Sequence, residues 1–560
     1  MDKPAVRIVL EQIAASLALK GDNPFRIRAF ENAARAIAGY PGDLAEALQS
    51  GALAEVEGVG KATLDIVREL LSRGRSSVLD ELREEVAPGL VEMLKIPGLG
   101  VQKVRQIHEH LHIATLAELE VAAHDGRLAA IPRFGAKTAE NVLKGIAFLK
   151  RSTEFRLFHH ALAEATALQQ ALGTLPGVQR VEIAGSVRRR REVIRDLDFV
   201  VVHAGDGARE TLVKRIGEAP GVTGIAEKEG MVTLRFDTGT AVDVILATPD
   251  EFGLAWVRAT GAAAHWEELR ARGLDGSGRF PDEESVYRSL GLAWIPPELR
   301  EGAGECDAAA AGTLPRLIEA PDVKGLVHCH SNYSDGTASI AEWAEAAKEA
   351  GYAWIGLTDH SQSAPYAGGL RVDDIGRQHA EIDRVNAQVP GIRVLKGVEA
   401  DILADGRLDY EQATLDRFDF VIGSIHSRFG LDEAEMTKRV LTAMDDPHLA
   451  ILGHPTGRLL LSREPYPLDL EAVFRTAAER GITIEVNADP HRLDLDWRLV
   501  RRARAMGVVI AIGADAHSVA GMANMEFGLG IARKGWLEAT DVWNTLSADD
   551  FLDAARRRLP

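Results

Sequence analysis

Cysteine is nearly absent: only Cys306 and Cys329 occur among 560 residues. That excludes a disulfide framework and makes a reducing compartment, the cytoplasm, the expected setting. Long apolar runs are missing as well. The apolar stretch near the N-terminus, Ala5 to Leu19, is interrupted by Arg7 and Glu11. It suits neither a signal peptide nor a spanning helix, so no membrane partner is expected. A surplus of positive charge is also lacking, since the formal net charge is −18. With 46% hydrophobic and 26% charged residues, the composition is that of globular protein and excludes a disordered chain, a collagen or a coiled-coil rod. The length, at about 100–200 residues per domain, asks for several domains.

The acidity is unevenly spread. Residues 1–200 hold 27 Lys+Arg against 26 Asp+Glu, a net of +1, whereas residues 301–560 hold 27 against 41, a net of −14. The first part can therefore present a basic face to phosphates, as at Arg188-Arg189-Arg190-Arg191. Acidic clusters in the last part can hold cations that reverse the local sign.

Residues 1–150 carry the i, i+3, i+4 apolar spacing of helices joined by short turns. Three turns resemble one another: Val56-Glu57-Gly58-Val59-Gly60-Lys61, Ile96-Pro97-Gly98-Leu99-Gly100-Val101 and Ile131-Pro132-Arg133-Phe134-Gly135-Ala136-Lys137. A single glycine turn is an ordinary helix ending. Two clear copies and one degenerate copy suggest paired helices whose turns aim backbone N–H groups at phosphate. From Val181 onward, β-branched runs predict strands over 181–184, 197–202, 231–236 and 241–246, with helices between. The Ala- and Gly-rich stretch 302–312 reads as a linker. Beyond it, strands predicted over 325–328, 354–357, 393–398, 420–425, 451–453, 483–486 and 508–512 alternate with helical patterns, which argues for a barrel of about seven parallel strands.

Two constellations carry chemistry. In Gly185-Ser186-Val187-Arg188-Arg189, followed by Asp196-Leu197-Asp198, the two carboxylates fall on one face of a strand, and Asp243 adds a third from a later strand. Like charges so close call for a bridging cation, Mg²⁺ or Mn²⁺, with the Gly-Ser-Arg segment offering phosphate contacts. The second set stands at predicted strand ends: His328-Cys329-His330 with Asp335, then His360, Glu399, His426, His454, Asp515 and His517. Barrel active sites are built on that rim. Mixed imidazole and carboxylate donors suit Zn²⁺, Mn²⁺ or Fe²⁺ better than Ca²⁺.

From end to end the chain resembles the bacterial X-family DNA polymerases, a DNA polymerase beta-like core fused to a polymerase-and-histidinol-phosphatase (PHP) domain. The matching segments include Gly58-Val59-Gly60, Gly98-Leu99-Gly100, Gly185-Ser186, Asp196 with Asp198, Ile295-Pro296-Pro297-Glu298-Leu299-Arg300, Thr358-Asp359-His360, Gly453-His454-Pro455 and Asp515-Ala516-His517. The resemblance implies an α-helical helix-hairpin-helix N-terminal region, an α+β nucleotidyltransferase palm and a C-terminal α/β PHP barrel. Its implied boundaries are 1–90 and 91–150 for two DNA-binding modules, 151–250 for the palm, 251–302 for a nucleotide-side subdomain, 303–319 for a linker and 320–560 for the barrel.

By the same resemblance, Asp196, Asp198 and Asp243 hold two Mg²⁺ or Mn²⁺ ions. Gly185, Ser186, Arg188, Arg189 and Gly261 line the dNTP site. Gly58, Val59, Gly60, Lys61, Gly98, Leu99 and Gly100 grip DNA. In the barrel, two to three divalent metals (Mn²⁺ or Zn²⁺) are implied. One is held by His328, His330, Glu399 and Asp515, a second by Glu399, His426 and His454, a third by Asp335, His360 and His517.

The implied function is template-directed gap filling joined to 3′→5′ exonuclease activity, by a monomer acting in repair on gapped duplex and primer 3′ ends. The alternatives are a repair nuclease whose polymerase core positions DNA, and a non-catalytic DNA-end scaffold. Arg258-Ala259 stand where the family has Tyr-Phe before Thr260-Gly261, Trp266 replaces an Asn, and Ile66 stands where lyase-active relatives carry a lysine.

Overall fold

The computed structural model describes residues 3–40, 44–56, 58–96, 98–203, 205–228, 230–237 and 239–557. It divides into two units, Met1–Glu154 and Phe155–Pro560. Among the described residues no helix is long and apolar enough to cross a membrane.

The described residues of the first unit are helical apart from turns, and they build two apolar cores. One gathers Leu10, Ile13, Phe30, Ile37, Val67 and Leu70; the other gathers Met93, Val104, Ile107, Leu119, Val142 and Ile146. The helix Lys61–Arg73 shows the pattern at work, burying Thr63, Ile66, Val67 and Leu70 on one face. Ile66 is core.

The three similar turns share one backbone bond. Val59 donates to Val56, Leu99 to Ile96 and Phe134 to Ile131, at 3.0, 3.0 and 2.9 Å. Gly58 and Gly98 sit at φ +90° and +81°. In the degenerate third copy Arg133 takes the same left-handed conformation, at φ +71°. Glu57 and Pro97 lie outside the described residues.

The second unit holds fourteen strands among its described residues. A short pair, β1 (Arg156–Leu157) and β3 (Val193–Ile194), is antiparallel. A sheet of order β2-β4-β7-β6-β5 contains β2 (Val178–Ile183), β4 (Asp196–His203), β5 (Val222–Lys228), β6 (Met231–Phe236) and β7 (Ala241–Ala247). Strands β8 (Gly325–Cys329), β9 (Trp354–Leu357), β10 (Arg393–Asp401), β11 (Phe420–Ser424), β12 (Leu449–Leu452), β13 (Thr483–Asn487) and β14 (Ile510–Ala516) run parallel and close into a barrel, β14 pairing with β8. The barrel of seven parallel strands anticipated from the alternating pattern is therefore present.

The N-terminal end of the barrel is plugged. Phe551, from the helix Ala548–Ala555, meets Trp354, Phe420 and Trp543 with ring centroids 4.5, 5.2 and 5.6 Å apart. The plug leaves the opposite rim as the place where polar groups converge.

Residues 303–319, anticipated as a linker, are instead integral to the fold. The helix Glu305–Ala311 buries Glu305 and Cys306 completely. The Glu305 carboxylate accepts from Gly302 N–H and Ala303 N–H at 2.8 and 2.6 Å and holds His265 Nδ1 at 2.7 Å. His265 Nε2 meets the Tyr287 hydroxyl at 2.9 Å. Glycines at 302, 304 and 312 made the segment look flexible, whereas they supply the left-handed turns (φ +72°, +93° and +68°) that fit the helix into place.

Candidate metal centres and nucleotide cleft

Strands β4 and β7 pair in parallel with Asp198 opposite Asp243, which sets the carboxylates side by side. Asp196 shares their face, because β4 alternates: Leu197 and Phe199 point into the core. Asp243 accepts from Thr233 Oγ1 at 2.6 Å. Burial, with Asp196 and Asp243 adding repulsion, pushes the Asp198 carboxyl up to about 7. A buried acid raised by two like charges is a group waiting for a cation, so the donor set fits the divalent metal inferred for it.

A cation binding here would displace that proton, so its affinity is expected to weaken as pH falls below about 7 and to level off above it. The Mg²⁺ concentration giving half-maximal nucleotide insertion is expected to rise toward tenfold per unit as pH drops from about 7 to 6.

The helix Gly185–Arg188 begins against this centre. Ala184 N–H donates to Asp198 O at 2.8 Å, and Gly185 sits at φ +60°, where any Cβ would run into the Asp198 carboxylate. Ser186 Oγ, in the same short helix, is buried and makes no hydrogen bond. The arginines are engaged elsewhere. Arg188 makes two bonds to Glu283, at 2.6 and 2.8 Å, and lies over Trp256. Arg189 holds Glu301 Oε1 at 3.1 Å and Thr260 O at 2.5 Å. A cleft of about 640 Å³ opens beside the carboxylates, lined by Asp198, Asp243, Lys228, Glu251, Arg258 and Ala259 among others. Gly261 lies outside that lining, against the buried ring of His265.

At the barrel rim Glu399 is the hub. Its Oε1 lies 3.2, 3.3 and 3.1 Å from Nε2 of His328, His426 and His454, and its Oε2 lies 2.8 Å from His360 Nδ1 and 3.8 Å from His330 Nε2. Asp515 Oδ1 stands 3.4 Å from His330 Nε2 and 3.7 Å from His328 Nε2. Asp335 faces His517 at 3.4 Å and His360 at 3.7 Å. The ligand atoms of His330, Asp335, His360 and His517 cluster tightly enough for one ion, as do those of His328, His330 and Glu399. His454 clusters with His328 and Asp515, beyond the Glu399–His426 grouping expected for it. Three of these residues, His328, His454 and Asp515, have positive φ (62°, 22° and 46°), the backbone strain typical of residues aimed at a site.

The electrostatics suit a set of metal ligands. Burial alone would push Glu399 up, yet His360, His426 and His328 hold it well below the carboxylate range. Burial and the neighbouring His517 and His360 take His330 down to about 3, keeping it neutral. Nε2 of His328, both ring nitrogens of His330, Nδ1 of His360, Nδ1 of His454 and Oε2 of Glu399 are buried without a hydrogen bond. So many orphaned donors around one carboxylate fit divalent metals and little else.

Residues behind the rim escaped the sequence reading. Glu485, on β13, holds His328 Nδ1 at 2.5 Å, and Gly513 makes room for it, since a Cβ there would strike the Glu485 carboxylate. Asp401 holds His426 Nδ1 at 2.7 Å, and Asn487 donates to Asp515 at 2.9 Å. A carboxylate behind a ligating imidazole fixes its tautomer and raises its basicity. Glu485→Gln is therefore expected to raise the Mn²⁺ needed for half-maximal strand shortening by about 10–100-fold without affecting extension. The available signal was a glutamate inside a wholly buried strand, Thr483-Ile484-Glu485-Val486-Asn487.

Three family models match: a helix-hairpin-helix domain over residues 1–76, a SAM-like helix-hairpin-helix tandem over 90–147 and a PHP domain over 327–489. Among characterised proteins, the chain is 35% identical to the DNA polymerase/3′-5′ exonuclease PolX of Bacillus subtilis (strain 168), with 98% of both chains covered. Over 39% of its length it is 30% identical to a probable phosphatase of Thermoanaerobacter sp. (strain X514), covering 89% of that protein. Over 34% it is 31% identical to a probable phosphatase of Caldanaerobacter subterraneus subsp. tengcongensis, covering 74%. The phosphatases match a part the size of the barrel, whereas the likeness to the Bacillus protein runs through helical region, palm and barrel alike, and this chain belongs to the bacterial family X DNA polymerases that carry a C-terminal PHP domain.

Proposed function

We propose that the chain is a DNA repair enzyme that fills gaps from the Asp196–Asp198–Asp243 centre and trims 3′ ends from the Glu399 centre. The observation that supports this best is the presence of two separate, chemically different metal-binding sets in one folded unit. Divalent cations, Mg²⁺ or Mn²⁺ in the palm and two to three Mn²⁺ or Zn²⁺ in the barrel, supply Lewis acidity and charge neutralisation for phosphoryl transfer and phosphodiester hydrolysis.

The chain's own residues do the rest. Ser186 Oγ and the N–H groups at the start of the helix Gly185–Arg188 face the phosphates of the incoming dNTP. In the barrel, Glu485 and Asp401 keep His328 and His426 turned toward the metals, while Arg492, 3.5 Å from Asp515, offers a cation to the backbone of the DNA end. The helices at Lys61 and Val101 begin after Gly60 and Gly100 with no side-chain cap, leaving their first N–H groups for DNA phosphates. Gapped duplex and primer 3′ ends are the substrates, and the protein acts as a monomer in the cytoplasm.

The test is one labelled gapped duplex incubated with Mn²⁺, with and without dNTPs. Extension with dNTPs and shortening without them are expected; absence of either activity refutes that half of the assignment. The engagement of Arg188 and Arg189 with Glu283 and Glu301 favours a second reading, a nuclease whose polymerase core positions DNA, which predicts shortening alone.

The cleft also bears on sugar selection. Arg258 and Ala259 line it where relatives carry two aromatic rings. A steric gate rejects the 2′-hydroxyl by collision, and Ala259 gives none. Discrimination between dNTPs and rNTPs is expected to stay within about tenfold to a hundredfold in kcat/KM. Single-nucleotide insertion measures it, and several thousandfold would show that another group closes the pocket.

A further inference from the structure

The helix Met525–Lys534 belongs to the barrel half of the second unit, yet its last residue ends inside the polymerase half. Lys534 is fully buried. Its ammonium donates to the backbone carbonyls of Arg189 and Glu298 at 3.0 and 3.2 Å and to the Glu301 carboxylate, which uses all three of its hydrogens. The neighbouring Arg533 holds Glu298 Oε1 at 2.7 Å. The contact is close along its length: a Cβ on Gly530 would come within 2.8 Å of the Arg190 side chain, and Arg190 reaches Glu526 at 3.2 Å.

Glu301 is thus shared by three cations, Lys534, Arg189 at 3.1 Å and Arg191 at 3.3 Å. Arg189 is the one tied to the palm carboxylates: it caps the helix Gly185–Arg188, donating its N–H to Gly185 O at 3.1 Å, and Gly185 packs against Asp198. What Glu301 holds tightly is withheld from a triphosphate, and what Lys534 neutralises on Glu301 loosens that hold. A buried carboxylate deprived of one cation binds the remaining ones more strongly.

We infer that Lys534, a residue of the nuclease barrel, is a positioning residue of the nucleotide site: by occupying Glu301 and the Arg189 carbonyl it keeps the Arg189 guanidinium available to the triphosphate. This rests on the proposed role of the palm as a polymerase centre with Arg189 at the triphosphate.

The experiment is dNTP titration of single-nucleotide insertion on a gapped duplex, with Mn²⁺-dependent shortening measured on the same preparations of the full chain. Lys534→Met is expected to raise KM for dNTP about tenfold while kcat changes less, with shortening unchanged. Adding Glu301→Gln to it is expected to recover most of the loss, because the charged competitor for Arg189 is gone and only the neutral Thr260 carbonyl remains. Glu301→Gln alone is expected to leave KM at or below the wild-type value; this variant keeps the lysine buried among neutral acceptors and covers the case in which Lys534→Met does not fold. Arg189→Ala separates the two levels of the argument. If it raises KM while Lys534→Met does not, the positioning role is overturned and the nucleotide site stands. If Arg189→Ala leaves KM unchanged, the triphosphate assignment is wrong and the inference falls with it. A rise in KM for Glu301→Gln alone, or failure of the double variant to recover, also overturns it.

Discussion

Replacing Asp198 by Ala abolishes primer extension, by roughly a thousandfold or more, and leaves 3′-end shortening at its original rate. Asp198 stands in register with Asp243 and shares a face with Asp196, and its carboxyl is raised by its own burial and by the repulsion of the other two. Alanine removes one carboxylate of the trio and relieves the repulsion, so the fold is kept and the metal is lost. Extension and shortening read on one gapped duplex, with a melting curve as control, check both halves. If shortening fell together with extension in a folded protein, the two-centre assignment would be wrong.

The reverse substitution belongs to the barrel. Glu399→Gln, His330→Ala and Asp515→Ala each remove a group from the rim, and loss of shortening by about a thousandfold is expected with extension intact. Glu399 is the most sensitive of the three. Five imidazoles converge on it, and without its charge the buried nitrogens of His328, His330, His360 and His454 are left as ligands with no Glu399 anion among them to balance a cation. The same gapped duplex without dNTPs, titrated with Mn²⁺, gives the readout. A variant that regained activity at high Mn²⁺ would show weakened affinity, whereas one that stayed inactive would show that the position serves the chemistry as well.

The parts of this molecule that were legible from its residues share a physical reason. The barrel strands end in polar side chains that a buried strand does not otherwise tolerate, so apolar runs followed by His or Asp gave both the strands and their rim. The palm carboxylates were legible because spacing of two on a strand fixes a common face. Strand β5 went unseen because it is an exposed edge, Val-Thr-Gly-Ile-Ala-Glu-Lys, with little burial to pattern it. The residues behind the rim, Glu485, Asp401 and Asn487, are single polar positions whose meaning depends on a neighbour far along the chain. The same holds for Glu283 and Glu301, which take up the arginines assigned to the triphosphate; no local signal announces a partner more than 90 residues away.

The helix Glu305–Ala311 and the residues that meet it carry a consequence for where such a chain can be cut. Arg501, from the barrel, donates to Ala303 O at 2.6 Å and lies over Trp536, which joins the core built by Cys306, Tyr287 and Leu299. Gene fusions joined by a floppy tether can be cut apart or recombined like cassettes, each partner keeping its own fitness. Here a recombination breakpoint inside residues 303–319 would strip one partner of its wall and leave the other with a stranded guanidinium. In this chain palm and barrel share that wall, so a substitution on one side of the seam bears on the stability of the other.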